Sequence, residues 1–141
     1  KDKEVEFSQV PILIESRAEE VADSLIELAK KISNNVQEID SIQRKRLHLA
    51  AVFACNFSNY LFQIAEDILT EENLDFNLLK PLLKETVAKL DYLSPQKAQT
   101  GPAIRKDEKI IREHLEMLKD YPNYQNLYSL LSDQIKKKKI C

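Results

Sequence analysis

A mainly α-helical protein, opened by a short strand–helix–strand segment, is predicted by three features of this sequence. Glycine occurs once in 141 residues, at Gly101. Sandwiches and barrels, whose turns consume Gly, Asn and Asp, need many more. Leu, Lys, Glu, Ala and Gln, all strong helix formers, dominate the chain. From Asp40 onward the apolar residues recur at helical spacing. A hydrophobic share of 43% against 31% charged residues fits a globular protein and excludes disorder.

The opening stretch "EVEFSQVPILIES" (Glu4–Ser16) alternates and then runs apolar, with β-branched Val10, Ile12 and Ile14 around Pro11. It reads as a strand, and the proline puts it at a strand start or a sheet edge. In "SRAEEVADSLIELAKKIS", Ser16 is the expected N-cap and Glu19 its capping-box partner, ahead of Val21, Leu25, Leu28 and Ile32 at helical spacing. "NNVQEID" (Asn34–Asp40) supplies a turn and a short extended piece. A strand–helix–strand of this kind needs neighbouring strands to make a sheet, so residues 1–40 read as the end of an α/β domain. The chain starts with Lys1 rather than Met, which fits a fragment.

A long helix should then run from an Asp40 or Ser41 cap to about Glu71, roughly 45 Å at 1.5 Å per residue. Its middle, Leu47 to Ala65, is apolar around most of its circumference, the pattern of a central helix surrounded by others. Asp75–Leu93 reads as a second helix capped by Asp75, with Pro81 at a kink or break. Lys106–Asp120 and Asn123–Lys139 read as a third and a fourth, with Pro122 between them. Residues 41–141 thus form the predicted helical domain. No internal repeat is present, since the helices differ in length and signature.

A net charge of −2 offers no electrostatic reason to expect a nucleic-acid or membrane partner. The basic run Lys136–Lys139 complements a helix C-terminus. Cys55 and Cys141 read as unpaired thiols of a reducing compartment, Cys55 as a small buried hydrophobe. The longest apolar run, Leu49–Cys55, is far too short to span a bilayer, and no signal peptide is expected. A cytoplasmic location is therefore expected. His48 and His114 lie on different helices and in no ligand pattern, so no metal is expected. One glycine also excludes a phosphate-binding glycine fingerprint within these residues.

Two places could carry chemistry. On the long helix His48, Val52, Cys55, Asn56, Asn59 and Gln63 follow steps of three or four and share a stripe. Its polar members either bridge neighbouring helices or line a pocket and orient a polar ligand. The second place is "SPQKAQTGPAIRKD" (Ser94–Asp107). Ser94-Pro95 stops the second helix, and Pro95 can start a short helical turn. Thr100-Gly101-Pro102 reverses the chain, using the freedom of Gly101 to adopt positive φ. The loop so formed presents Gln99, Thr100, backbone amides and Arg105, a set suited to a small carboxylate or a phosphate. Alternatively it is a plain connector, with Arg105 paired to Asp107 or Glu108.

The segments "LHLAAVFACNFSNYLFQIAEDIL" and "LSPQKAQTGPAIRKDEKIIREHLEML", with the closing "LYSLLSDQI", resemble a known C-terminal helical domain. It belongs to two-domain Rossmann-like NAD(P)-dependent oxidoreductases and has long been catalogued as of unknown function. These are relatives of pyrroline-5-carboxylate reductase, ketopantoate reductase and 6-phosphogluconate dehydrogenase. The resemblance covers Val5 to Ile135. It implies that residues 1–40 end a truncated nucleotide-binding domain and that residues 41–141 form a helical substrate and dimerisation domain like that of 6-phosphogluconate dehydrogenase. NADP or NAD would be bound mainly by a part preceding Lys1, so the fragment alone would be inactive. The substrate implied is a small oxo acid or imine, and the assembly a homodimer. By the same resemblance Asn56, Asn59, Gln99, Thr100, Gly101 and Arg105 would hold the substrate and His48 would donate a proton, a suitable task for imidazole. The family usually has a small residue, often Gly, where this chain has Lys106. The competing reading is a non-enzymatic helical module for dimerisation or partner binding.

Overall fold

The computed structural model describes residues 5–137, and the chain divides into two compact units, Lys1–Tyr60 and Leu61–Cys141. The expected domain boundary lies between residues 40 and 41; the division between the units falls later, within a helix.

The first unit opens with a 3-10 turn at Phe7–Gln9, followed by β1 (Ile12–Ile14), α1 (Glu19–Lys30), β2 (Val36–Glu38) and α2 (Ser41–Ala51). The strands pair in parallel, Ile12 opposite Val36 and Ile14 opposite Glu38. β1 is shorter than the predicted strand because Glu6 to Val10 close a turn, with Val10 N–H donating to the Phe7 carbonyl. Pro11 stands just before the strand, as predicted, where its missing N–H costs no ladder bond. The predicted cap of α1 is corrected: the N-cap position is Ala18, without a side-chain bond. The Ser16 hydroxyl accepts from the Ala18 N–H and donates to its carbonyl, which holds the chain extended until Glu19.

Ile14, Ala22, Ala29 and Ile39 form the buried core of this unit. Ser33 is buried with them and ties the strand starts together, its Oγ donating to the Val10 carbonyl at 2.5 Å and accepting from Asn35 N at 3.0 Å. Val21, Leu25, Leu28 and Ile32, expected as the core stripe of α1, are exposed. Leu25, Leu28 and Ile32 instead line an open apolar groove with Ile12 and Ile14. The small side chains of Ala22 and Ala29 are the buried ones of α1, and nothing further among the described residues of this unit covers the longer ones.

α2 begins at a capping box. Asp40 Oδ1 accepts from the Ile42 and Gln43 N–H groups, both at 2.7 Å, and the Gln43 side chain accepts from Asp40 N at 2.8 Å. The helix passes through a π-helical turn, Val52–Phe57, into α3 (Ser58–Glu71). Its extent matches the prediction, but the expected burial does not hold. Every residue of α2 is exposed, and Leu47, Leu49 and Phe53 keep 50%, 58% and 63% of their surface. Cys55, expected to be buried, is an exposed free thiol. Within the first unit no described element covers α2 or the π-turn, and their apolar residues stay exposed.

In the second unit Asp75 caps a 3-10 turn, Phe76–Leu79, and α4 (Lys80–Ala88) follows, with Pro81 in its first turn. Pro81 therefore sits at a break, where no helical N–H is required of it. A further 3-10 turn, Lys89–Asp91, leads to α5 (Pro95–Ala98), α6 (Glu108–Met117) and α7 (Pro122–Lys137). α6 is shorter than predicted because Lys106 has φ 55° and Asp107 caps the helix, its carboxylate accepting from Ile110 N at 3.2 Å. α6 and α7 pack around buried Ile111 and Ser132. His114 Nδ1 and Tyr128 Oη are 2.8 Å apart across that contact, and Gln125 Nε2 donates to the Leu115 carbonyl at 2.8 Å. Lys136 of the basic run pairs with Glu108 at 2.9 Å; Lys138, Lys139 and Cys141 lie outside the described residues.

Candidate functional site

The polar residues of the long helix are placed by the π-turn. In an uninterrupted α-helix successive residues are about 100° apart, setting Asn59 about 20° and Asn56 about 80° from His48. A π-turn inserts one extra residue, which carries Asn56 back toward about 20° and Asn59 away to about 80°. In the first unit His48 and Asn56 therefore lie near one meridian, and Asn59 leaves the predicted stripe. All three are exposed, and none has a side-chain hydrogen bond within the described residues. Gln63, on the second unit's part of α3, donates to Asp67 at 2.9 Å.

The loop around Gly101 forms as its residue types dictate. Pro95 starts α5, and Gly101 then takes φ 108°, a value side chains resist. It is not the only residue with positive φ, since Asn73 and Lys106 share that sign. Gln99 and Thr100 line a cavity of about 190 Å³ against the 3-10 turn that follows α4. The other polar walls are Thr86 and Lys89, and the apolar ones Leu90, Pro95 and Ala98. Gln99 Nε2 donates to the Thr100 carbonyl at 2.9 Å, which braces the loop tip. Arg105 is exposed and is not among the lining residues; within the described residues no carboxylate lies at ion-pair distance from it. Glu108 takes Lys136 instead.

Lys89 is the cation beside Gln99 and Thr100, and sequence reasoning missed it. Its signal was faint: a lysine in the last turn before a Leu-Ser-Pro stop, whose reach across to the loop depends on how the chain folds back.

A second cavity, about 360 Å³, lies at the carboxyl ends of β1 and β2 and is lined by Glu15, Ser16, Glu38, Ile39, Asp40 and Gln43. The carboxyl ends of parallel strands are where α/β sheets bind ligands. Here the Ser41 hydroxyl and the Arg44 guanidinium beside Glu15 hold its carboxyl below the usual carboxylate range. The β1–α1 connection has no glycine; it carries Glu15, paired with Arg44, and Arg17, with Glu19 and Glu20 following in the first turn of α1. Among the described residues no cluster of three His, Cys, Asp or Glu side chains could hold a metal ion, and no helix is long and apolar enough to cross a membrane.

Two solved structures resemble this chain closely. A protein from Bacteroides fragilis, described as a "putative NADP oxidoreductase", is 48% identical, with a TM-score of 0.89 over 96% of this chain and 52% of its own. A protein from Thermotoga maritima is 25% identical, with a TM-score of 0.80 over 93% of this chain and 53% of its own. The chain thus spans about half the length of the solved structures it matches. No curated protein matches it. The model of the domain of unknown function DUF2520 matches residues 10–135, and the chain belongs to that family.

Proposed function

We propose that this chain is the substrate-binding and dimerisation part of an NADP-dependent oxidoreductase that reduces a small oxo acid or imine. The observation that supports the oxidoreductase part of this reading is the 48% identity to the Bacteroides fragilis protein over 96% of the chain; the substrate class and the dimer rest on the family resemblance. The first unit supports it physically. A two-stranded parallel sheet with an open apolar face at Ile12, Ile14, Leu25, Leu28 and Ile32 is not a stable end point, because parallel sheets are buried on both faces. Further strands and a helix from a part preceding Lys1 would complete it as a Rossmann-like domain and bring the nucleotide site. That arrangement is the one found in relatives of pyrroline-5-carboxylate reductase, ketopantoate reductase and 6-phosphogluconate dehydrogenase.

In this reading His48 supplies a proton to the substrate and Asn56 orients it. Asn59 of the first unit and, taken separately, Gln99, Thr100, Gly101 and Arg105 of the second are the further substrate contacts that the family resemblance implies. The exposed apolar residues of the long helix, Leu47, Leu49, Phe53 and Phe57, would pack against a second copy.

The test is NADPH oxidation by the full-length protein with a panel of 2-oxo acids and cyclic imines, alongside sedimentation to read its oligomeric state. Turnover that falls about 10²–10⁴-fold in His48→Ala is expected for loss of a general acid. The same exposed apolar helix also favours a second reading, a module that binds a partner protein and has no catalytic role. A full-length protein that binds no NADPH would turn the choice to that reading.

A further inference from the structure

The cavity between Lys89 and the Gly101 loop has features of its own. Its volume of about 190 Å³ corresponds to about six water molecules. It lies below the range of about 300–1,000 Å³ that drug-sized ligands occupy. A molecule of three to five heavy atoms beyond its charged group would fill it. The walls divide by chemistry. Lys89 brings an ammonium, on a side chain that keeps 32% of its surface. Gln99 spends one of its two amide N–H bonds on the Thr100 carbonyl and retains the other. The Thr100 hydroxyl adds a third donor. Leu90, Pro95 and Ala98 supply its apolar lining.

The opposing charge is weakly placed. Glu85, the carboxylate one helical turn before Lys89, stands 3.7 Å from its Nζ and keeps 58% of its surface. That separation is longer than a charge-assisted hydrogen bond, and an exposed glutamate can turn away into water. Thr86 contributes no donor, because its hydroxyl already donates to the Leu82 carbonyl at 2.8 Å. The balance favours a ligand with one negative, planar acceptor group on a short carbon skeleton.

We infer that this cavity is a binding site for a small carboxylate, with Lys89 as its charge anchor and Gln99 and Thr100 as its hydrogen-bond donors. That the bound carboxylate is a substrate rests on the oxidoreductase reading; the anion site itself does not.

The experiment is a titration of the full-length protein with pyruvate, followed by the amide resonances of Lys89, Ala98, Gln99 and Thr100. Pyruvamide, of the same size and without the charge, serves as the control. Pyruvate should move these resonances and pyruvamide should not. Lys89→Gln should weaken pyruvate binding about tenfold, the loss of one contact to a charged group. Lys89→Arg should restore most of it, and Glu85→Gln should tighten it. Pyruvate binding that Lys89→Gln leaves within twofold, or shifts of equal size with pyruvamide, would overturn the site. The two readings fail separately. Lys89-dependent binding without any NADPH turnover removes the oxidoreductase and keeps the site. Turnover whose KM does not change in Lys89→Gln does the reverse.

Discussion

Asp67, in the later half of α3, accepts a hydrogen bond of 2.7 Å from the Tyr124 hydroxyl in the first turn of α7. Gln63, one turn earlier, donates to the other carboxylate oxygen at 2.9 Å. Together the two donors hold the Asp67 carboxyl below its ordinary value of 3.8, Tyr124 first and Gln63 second. A half-buried carboxylate with both oxygens bonded fixes where α7 starts against α3 within the second unit.

This pair should show a definite pH signature. A carboxyl whose pKa is lower folded than unfolded contributes stability that is complete above its unfolded value and is lost as pH falls through the folded one. Tyr124→Phe should therefore lower the thermal midpoint at neutral pH, and the difference from the parent should shrink below about pH 4. Thermal melts of both proteins across that window check it. A difference that stays constant down to pH 2 would show that Tyr124 does not act through the Asp67 carboxylate.

Lys106 occupies the left-handed region at φ 55°, where the family resemblance places a small residue, often Gly. A side chain there costs about 1–2 kcal/mol, while a glycine adds about 0.5–1 kcal/mol of unfolded-state freedom. The strain term is the larger. Lys106→Gly should raise stability by about 0.5–1 kcal/mol, read from the urea midpoint at unchanged slope.

At Gly101 the sign reverses. A Cβ there would meet nothing within 4 Å, so space is available, but φ 108° is strained for any side chain. Gly101→Ala should cost about 1–3 kcal/mol through the backbone alone. If the urea midpoint does not change, the loop has relaxed to another conformation, and Thr100 should then show altered amide shifts.

Asp40 is the N-cap of the long helix and bonds two orphan N–H groups while Gln43 returns a third bond. Asp40→Ala should destabilise by about 1 kcal/mol. Asp40→Asn, which keeps the acceptor, should lose only a fraction of that. Equal losses in the two would assign the effect to charge instead of to the cap bond.

Features decided within three or four residues were legible in the chain. Asp40 caps the long helix as expected, Asp75 caps the 3-10 turn that leads into α4 rather than α4 itself, Pro81 and Pro95 stand in first turns, and Gly101 reverses the chain, because each depends on φ and on hydrogen bonds to near neighbours. The Ser16 cap failed on the same scale, since a serine two residues before the N-cap position can close a turn on Ala18 instead. Burial was not legible. Leu25, Leu28 and Phe53 have core-like spacing yet remain exposed, because periodicity marks a face that needs covering and says nothing of what covers it. The π-turn, which brings Asn56 toward the His48 meridian, and the fold-back that puts Lys89 beside Gln99 were likewise invisible. Both arise when a helix or a turn adjusts to its surroundings, an interaction between parts of the chain that no local pattern encodes.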